Sequence, residues 1–263
     1  MIRNLNKTLN KFSLFFQPIT KKPYSSSSKI SDLFFWRVDE NWRTYFDLLN
    51  IVSIMGGSSK KAEIIFFDQN GFLLFREEIN LNGLSKKTLD IAYLLGKNNI
   101  GSSISFGTFA IFHLSTPEII FNSNSYLSDR GYVSYKYRSS NLRKYVHGNY
   151  DAVAKGENSL KMLTGSSFFK RKYNLQYSLE RNSNYEIVII NSTSRNQKMT
   201  LDLSNGIDSK PIFSTFELPI RALKISKLSN LDKNSHLSIK SNMTMSRPIV
   251  FSYRKNDFDV FHG

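Results

Sequence analysis

The chain has 263 residues, of which 40% are hydrophobic and 14% aromatic, enough to build one large or two small cores and too many for a disordered protein. The absence of Cys excludes disulfides, thiolate metal sites and cysteine nucleophiles. The net charge is +15, but residues 1–31 carry +6 and residues 121–181 carry +7, which leaves only +2 elsewhere. This distribution differs from the even basic surface of a general nucleic-acid-binding protein.

Residues 1–31 form a basic leader that is rich in Ser and contains no acidic residue. These features are typical of an organelle transit peptide, but a flexible arm explains them as well, because transit peptides favour Arg and only one is present. We therefore predict a flexible leader and a cytoplasmic location, with organelle targeting as the alternative. No apolar run reaches the roughly 18 residues of a membrane span.

The stretch from Asp32 to Met55 contains both Trp residues. Its pattern is compatible with a short helix that begins at Ser31 or Asp32, and the part from Asp47 to Met55 is equally compatible with a first strand. Trp36 and Trp42 are candidates for stacking on a glycan, although such residues more often fix a leader to a core.

From Ala62 onward the pattern predicts strands. AEIIFF and FLLF flank the segment Asp68–Gly71, whose Asn-Gly pair supplies the positive φ of a tight turn, and this predicts a β-hairpin. Further short strands follow at a spacing of roughly 8 to 12 residues, which is typical of a β-sandwich.

A similar pattern of strands recurs after residue 181. Leu89–Ile91 aligns with Leu223–Ile225, and Ala110–Phe112 aligns with Ile249–Phe251, as two copies of one domain would. We predict an all-β protein with two immunoglobulin-like β-sandwich domains, residues 32–120 and 182–263, joined by a basic, Tyr-rich connector, residues 121–181. This likeness concerns the fold and implies no function.

No catalytic or metal-binding motif is present in the sequence. There is no Gly-x-Ser-x-Gly segment, and the four His residues lack the spacing of metal ligands. We expect a non-catalytic protein without a cofactor or metal ion. An enzyme would require a pocket that joins His147 to Asp129 or Asp151.

The connector contains the densest group of candidate ligand-binding residues. Between Asp129 and Asp151 it holds five Tyr, five Arg or Lys and one His. In a strand, Val133, Tyr135 and Tyr137 share one face, while the opposite face combines a ring, a hydroxyl and two cations. Such a face suits an anionic or polyhydroxy ligand, although edge strands also use cations to prevent aggregation. A following turn or short helix would add further residues. The candidate ligand-binding residues are Arg130, Tyr132, Lys136, Arg138, Arg143, His147 and Asn149.

The leading functional hypothesis is non-catalytic binding of an anionic or polyhydroxy partner, most plausibly a glycan or acidic polysaccharide. One alternative is an adaptor protein that pairs through its sandwich edges. Another is single-stranded nucleic-acid binding, which predicts a steep salt dependence. The basic triplet Lys170–Lys172 is predicted to be a solvated loop, and it would extend the site only if it folded against the connector.

Overall fold

A computed structural model describes residues 29–57, 60–83, 86–115, 128–129, 131–138, 140–156, 159–204, 212–229, 231, 233–244, 247–254 and 257–263. The predicted leader lies outside these residues except for its last three. The strands are β1 (Lys29–Arg37), β2 (Trp42–Leu49), β3 (Lys61–Asp68), β4 (Leu73–Asn80), β5 (Lys86–Asp90), β6 (Phe106–His113), β7 (Ser128–Asp129), β8 (Tyr132–Tyr137), β9 (Lys144–Val146), β10 (Asn149–Lys155), β11 (Leu160–Met162), β12 (Ser166–Asn174), β13 (Asn184–Ile190), β14 (Gln197–Ser204), β15 (Ile212–Leu218), β16 (Leu223–Leu228), β17 (His236–Met243), β18 (Ile249–Arg254) and β19 (Asp257–His262). Two short helices are α1 (Ile51–Ile54) and α2 (Ile91–Lys97).

The strands form four sheets that are arranged as the four blades of a small β-propeller. The chain is all-β, but the prediction of two immunoglobulin-like sandwiches is wrong. The strand orders are β11-β10-β1-β6-β3-β4 in sheet 1, with β7 beside β1, β5-β2-β8-β9 in sheet 2, β16-β13-β18-β19 in sheet 3, and β12-β17-β14-β15 in sheet 4.

Strand β1 lies inside sheet 1, between β6 and β10. Its side chains are buried on both faces, and Leu33, Phe34, Phe35 and Trp36 are all inaccessible to solvent. A strand that is buried on both faces needs no polar alternation, and the apolar run therefore forms a strand rather than the helix that its spacing allowed.

The β3–β4 hairpin confirms the prediction from Asn-Gly. The Asp68 carboxylate accepts hydrogen bonds from the backbone N–H groups of Asn70, at 2.9 Å, and Phe72, at 2.8 Å. Gly71 has φ +82°, a conformation that a side chain would strain. Local turn chemistry therefore fixes this connection.

Sheet 3 explains why the two predicted domains are not independent. Ile187 and Ile189 of β13 pack into a core shared with sheet 4, whereas the alternate residues Val188 and Ile190 pack into the larger core of sheets 1 and 2. Because successive side chains of a strand point to opposite faces, one sheet is buried on both sides. The larger core is therefore continuous across the predicted domain division.

The two Trp residues lie within this larger core. Trp36 is fully buried and Trp42 is 1% exposed, which excludes both from stacking on a glycan at the surface. The Trp42 ring packs edge-on against Phe251, with centroids 5.0 Å apart, and against Phe258 at 5.2 Å. Trp42 therefore joins sheet 2 to sheet 3.

The predicted connector and duplication also require correction. Strands β8 and β9 complete sheet 2, and β10 and β11 extend sheet 1, so this segment is part of two blades rather than a bridge. Strand β5 pairs with β2, whereas its supposed counterpart β16 pairs with β13. The domain boundaries at residues 120 and 181 stay a prediction.

A turn-to-turn contact also connects sheets 1 and 3. The backbone N–H of Leu223 donates to the carbonyl of Gln69 at 2.9 Å, and the Arg221 guanidinium lies 4.9 Å from the centre of the Phe67 ring. A Cβ atom on Gly71 would lie 2.4 Å from the carbonyl oxygen of Ile220. The glycine is therefore needed for its conformation and for this close approach.

A largely buried polar cluster connects the same two sheets. Arg37 of β1 forms ion pairs with Asp39, at 2.6 Å, and with Glu186 of β13, whose carboxylate also accepts a hydrogen bond from the Tyr253 hydroxyl. Burial alone would lower the pKa of Arg37, but the hydrogen bond to Asp39 and the charge of Glu186 raise it above its ordinary value. Burial and Glu186 raise the pKa of Tyr253. Contacts within the cluster therefore keep Arg37 charged despite its burial.

Candidate functional site

Burial along β8 matches the predicted inner face at Val133 and Tyr135, but Ser134 of the predicted outer face is buried as well. Val133 and Tyr135 are fully buried, and the Tyr135 hydroxyl donates to the carbonyl of Phe35 at 2.9 Å. Burial raises the pKa of Tyr135 well above its ordinary value. The outer face of sheet 2 therefore carries Tyr132, which is 53% exposed, and the half-buried Lys136.

Antiparallel pairing adds residues that the sequence analysis did not nominate. Arg43 of β2 lies directly opposite Lys136, and Tyr45 of β2 lies opposite Ser134, whose other neighbour is Tyr145 of β9. The outer face thus adds three tyrosines or cations from β2 and β9, together with Arg143 just before β9, to those of β8. We define the basic tyrosine face as Arg43, Tyr45, Tyr132, Lys136, Arg143 and Tyr145.

Arg143 contacts strand β2 across the face. Its guanidinium carbon lies 4.0 Å from the centre of the Tyr45 ring, a close cation–π contact. Arg143 precedes β9, and the register of Tyr135 with Lys144 places it beside Lys136. The contact orders an otherwise exposed side chain and holds a third cation near the first two.

The cations of the face are not neutralised by neighbouring acids. Within the described part of the chain, no carboxylate lies within 4.0 Å of Arg43, Lys136 or Arg143. Like charges directly opposite each other destabilise a sheet, and Arg43 and Lys136 occupy such positions. An anion bound between them would relieve this repulsion.

The two acids on the same side of sheet 2 already have partners. Asp47 accepts a hydrogen bond from the Thr88 hydroxyl at 2.6 Å and forms an ion pair with Lys86 at 3.3 Å. Asp90 caps helix α2 by accepting from the N–H of Ala92 at 2.9 Å. Both carboxylates thus have partners other than the three cations of the face.

Ser134 occupies the middle of the face, between Tyr45 and Tyr145 in the register. The residue is 0% exposed, and its hydroxyl has no hydrogen-bond partner among the described residues. A buried hydroxyl without a partner loses free energy relative to water.

The remaining predicted site residues lie away from the centre of the face. Arg138 has φ +46°, follows the end of β8, and its Nε donates to the Asn41 side chain at 3.1 Å. His147 packs at the corner, 6.0 Å from the Tyr132 ring centre. Asn149 begins β10 in sheet 1 instead of lying in the predicted turn or short helix, and Arg130 lies outside the described residues.

A histidine pair closes this corner. His262 Nε2 donates to the carbonyl oxygen of His147 at 2.8 Å, and the two rings lie edge-to-face at 5.5 Å. Burial lowers the pKa of His262 to about 4, and the hydrogen bond to His147 only partly offsets that effect. His262 is therefore neutral at pH 7 and adds no charge to the face.

A cleft of about 640 Å³ adjoins the face at Arg43. Its walls come from the β1–β2 turn, the end of α2 and the segment before β6, and they include Asp39, Glu40 and Asn41. Two acids beside Arg43 make the cleft less positive than the face. The cleft is therefore a boundary of the candidate site rather than its centre.

The basic triplet Lys170–Lys172 does not extend the site. It lies on β12 in sheet 4, where Arg171 and Lys172 pair with residues of β17. This places the triplet in a strand rather than the predicted loop, on a different blade from the basic tyrosine face.

Among the described residues, no group of three or more His, Asp or Glu residues is placed to hold a metal ion. Within the same residues, no helix is long and apolar enough to cross a membrane. No protein-family model matches the chain, and no curated protein gives a significant match to it.

Proposed function

We propose that the protein binds an acidic polysaccharide, without catalysis, through the basic tyrosine face. The observation that supports this proposal is the row of three cations, Arg43, Lys136 and Arg143, placed side by side without carboxylate partners among the described residues. Elsewhere in the described chain several cations of the sheets are paired with acids, as Lys61 is with Glu78.

Three tyrosines complement the cations in this proposal. Tyr132 and Tyr145 are at least half exposed, and their rings offer flat apolar surface to the C–H faces of a sugar. The carboxylate or sulfate groups of the same polymer would contact the guanidinium and ammonium groups. The tyrosines come from three adjacent strands, so the contacts extend across the sheet and suit an extended polymer.

The binding test uses heparin and polygalacturonate as acidic probes and dextran as a neutral one. We expect the acidic probes to bind more weakly as salt rises, because the contacts are between exposed charges. Arg43→Gln with Lys136→Gln is expected to weaken binding about 30- to 700-fold, since each of the two lost charge-assisted contacts contributes about 1–2 kcal/mol. Isothermal titration or fluorescence anisotropy measures the loss.

The matched control is Lys170→Gln with Lys172→Gln, which removes the same charge from another sheet. The proposal fails if both double variants lose affinity equally, because binding would then follow net charge. It also fails if no acidic probe binds, or if dextran binds as tightly as polygalacturonate.

Single-stranded nucleic acid is a second candidate ligand, because the same face places tyrosine rings next to cations. Stacked bases contribute about 1–3 kcal/mol each, so Tyr132→Ala with Tyr145→Ala would then weaken binding of oligo-deoxythymidylate more than the loss of two cations does. Tighter binding of the oligonucleotide than of either acidic polysaccharide would favour this alternative.

A further inference from the structure

The edge strand β12 contains a segment that protrudes from sheet 4. Ser166 pairs with Met243, but the next paired residue, Arg171, lies opposite Ser241. Residues 167–170 therefore oppose the single residue Asn242, and the extra length must leave the plane of the sheet. We call residues 167–170 the Phe-Phe bulge.

The bulge presents two adjacent phenylalanines to solvent. Phe168 is 76% exposed and Phe169 is 67% exposed, with ring centroids 5.2 Å apart. In a regular strand, adjacent side chains point to opposite faces, so only one of them would face solvent. The irregular backbone thus brings both rings to one exposed tip.

Polar contacts hold the bulge in this conformation. The Asn242 side chain donates to the carbonyl of Ser167 at 3.1 Å and to that of Phe168 at 3.0 Å. The Ser167 hydroxyl donates to the carbonyl of Phe169. These bonds satisfy carbonyl groups that the irregular pairing would otherwise leave open. The exposed rings are therefore held in place, rather than free to fold back onto the sheet.

Cations follow the apolar tip directly. Lys170 and Lys172 are exposed, and neither has a carboxylate within 4.0 Å among the described residues. Lys172 lies directly opposite Lys240 of β17, whose own ammonium forms an ion pair with Asp202 at 3.8 Å. The bulge thus joins an apolar tip to a positively charged base.

We propose that the Phe-Phe bulge inserts into the surface of an anionic lipid bilayer. The two rings would enter the boundary between headgroups and acyl chains, while Lys170 and Lys172 contact lipid phosphate and carboxylate groups. A stable protein interface buries about 1,200–2,000 Å² in total, far more than two rings provide. A bilayer surface accepts a small apolar tip, and its negative potential matches the cations.

The experiment measures co-sedimentation of the full chain with phosphatidylcholine vesicles, with and without about 30% phosphatidylserine. We expect binding to the anionic vesicles that falls as salt rises. Phe168→Ser with Phe169→Ser should weaken it at least about tenfold, through the lost apolar contact. Lys170→Gln with Lys172→Gln should weaken it about 10- to 30-fold, at about fivefold for each cation.

Phe72→Ser is the matched control, because Phe72 is 70% exposed in the β3–β4 turn and belongs to another blade. This variant should bind vesicles as the unmodified protein does. Absence of binding to anionic vesicles overturns the proposal, as does full binding by the Phe168, Phe169 variant. Loss of vesicle binding in the Arg43→Gln, Lys136→Gln variant alone would assign the lipids to the basic tyrosine face and also overturn it. If the unmodified protein binds no vesicles but differs in oligomeric state from the Phe168, Phe169 variant, the bulge is a protein contact and the proposal is overturned.

Discussion

Replacing Glu186 with Gln tests whether the polar cluster between sheets 1 and 3 couples the two halves of the chain. The substitution keeps the side-chain volume and removes the charge that Arg37 and the Tyr253 hydroxyl contact. Removing one partner of a buried pair costs about 3–5 kcal/mol, because it leaves the other charge unpaired. The side chains of Arg37 and Glu186 are only 14% and 9% exposed, so solvent compensates little.

The expected loss lies at the lower end of that range. Asp39 remains within 2.6 Å of Arg37 and compensates part of its charge. Lys227, at 3.7 Å from Glu186, is 73% exposed and contributes little. We therefore expect Glu186→Gln to lower the free energy of unfolding by about 3 kcal/mol, which corresponds to a fall in Tm of roughly 6–12 °C.

Urea unfolding at pH 7, followed by tryptophan fluorescence and circular dichroism, measures this change. Glu78→Gln is the matched control, because the Lys61–Glu78 pair is exposed at both ends and should contribute less than about 0.5 kcal/mol. Combining Glu186→Gln with Arg37→Met completes a double-mutant cycle. A loss below about 1 kcal/mol, or additive single effects, would refute the coupling. Two separate unfolding transitions would also refute it, since a continuous core predicts one.

Three further predictions concern single side chains. Gly71→Ala should lower the free energy of unfolding, measured with urea, by more than about 2 kcal/mol, because φ is positive and a Cβ would meet a backbone carbonyl. Gly56→Ala is the control, because Gly56 has φ +78° with open space around it, and it should lower this free energy by about 1 kcal/mol. Burial lowers the pKa of His262 to about 4. Its contribution to the free energy of unfolding is therefore complete above the pKa of the unfolded state, near 6.5, and is lost as pH falls through about 4. Between pH 7 and pH 4 the free energy of unfolding of the unmodified protein should fall by about 3 kcal/mol more than that of His262→Gln. An equal dependence on pH in the two proteins would contradict this. Tyr135→Phe should cost about 1–2 kcal/mol, because the carbonyl of Phe35 loses its buried donor, and an unchanged unfolding midpoint would contradict that role.

Local patterns predicted those features that depend on nearby residues. The β3–β4 hairpin follows from its turn residues, and the inner face of β8 follows from the alternation along Tyr132–Tyr137. The all-β class follows from the same alternation over many short segments. Each of these depends on a few consecutive side chains.

The sheet partners could not be predicted in this way. Arg43 and Lys136 lie opposite each other although they are far apart in sequence, and alternation alone does not specify which strand pairs with which. Both faces of β13 are apolar, so the alternation of its side chains does not indicate which core each face contacts. Tyr145 was missed because β9 has only three residues, too few for a period to be visible.

The contacts of Trp42 have a consequence for how the protein is made. Its ring packs against Phe251 and Phe258, which are synthesised about 200 residues later. At ribosomal rates of about 5–20 residues per second, this aromatic cluster stays incomplete for on the order of 10–40 s. Nascent chains that expose such surface aggregate easily, so we expect the newly made protein to need a chaperone until Phe258 has emerged.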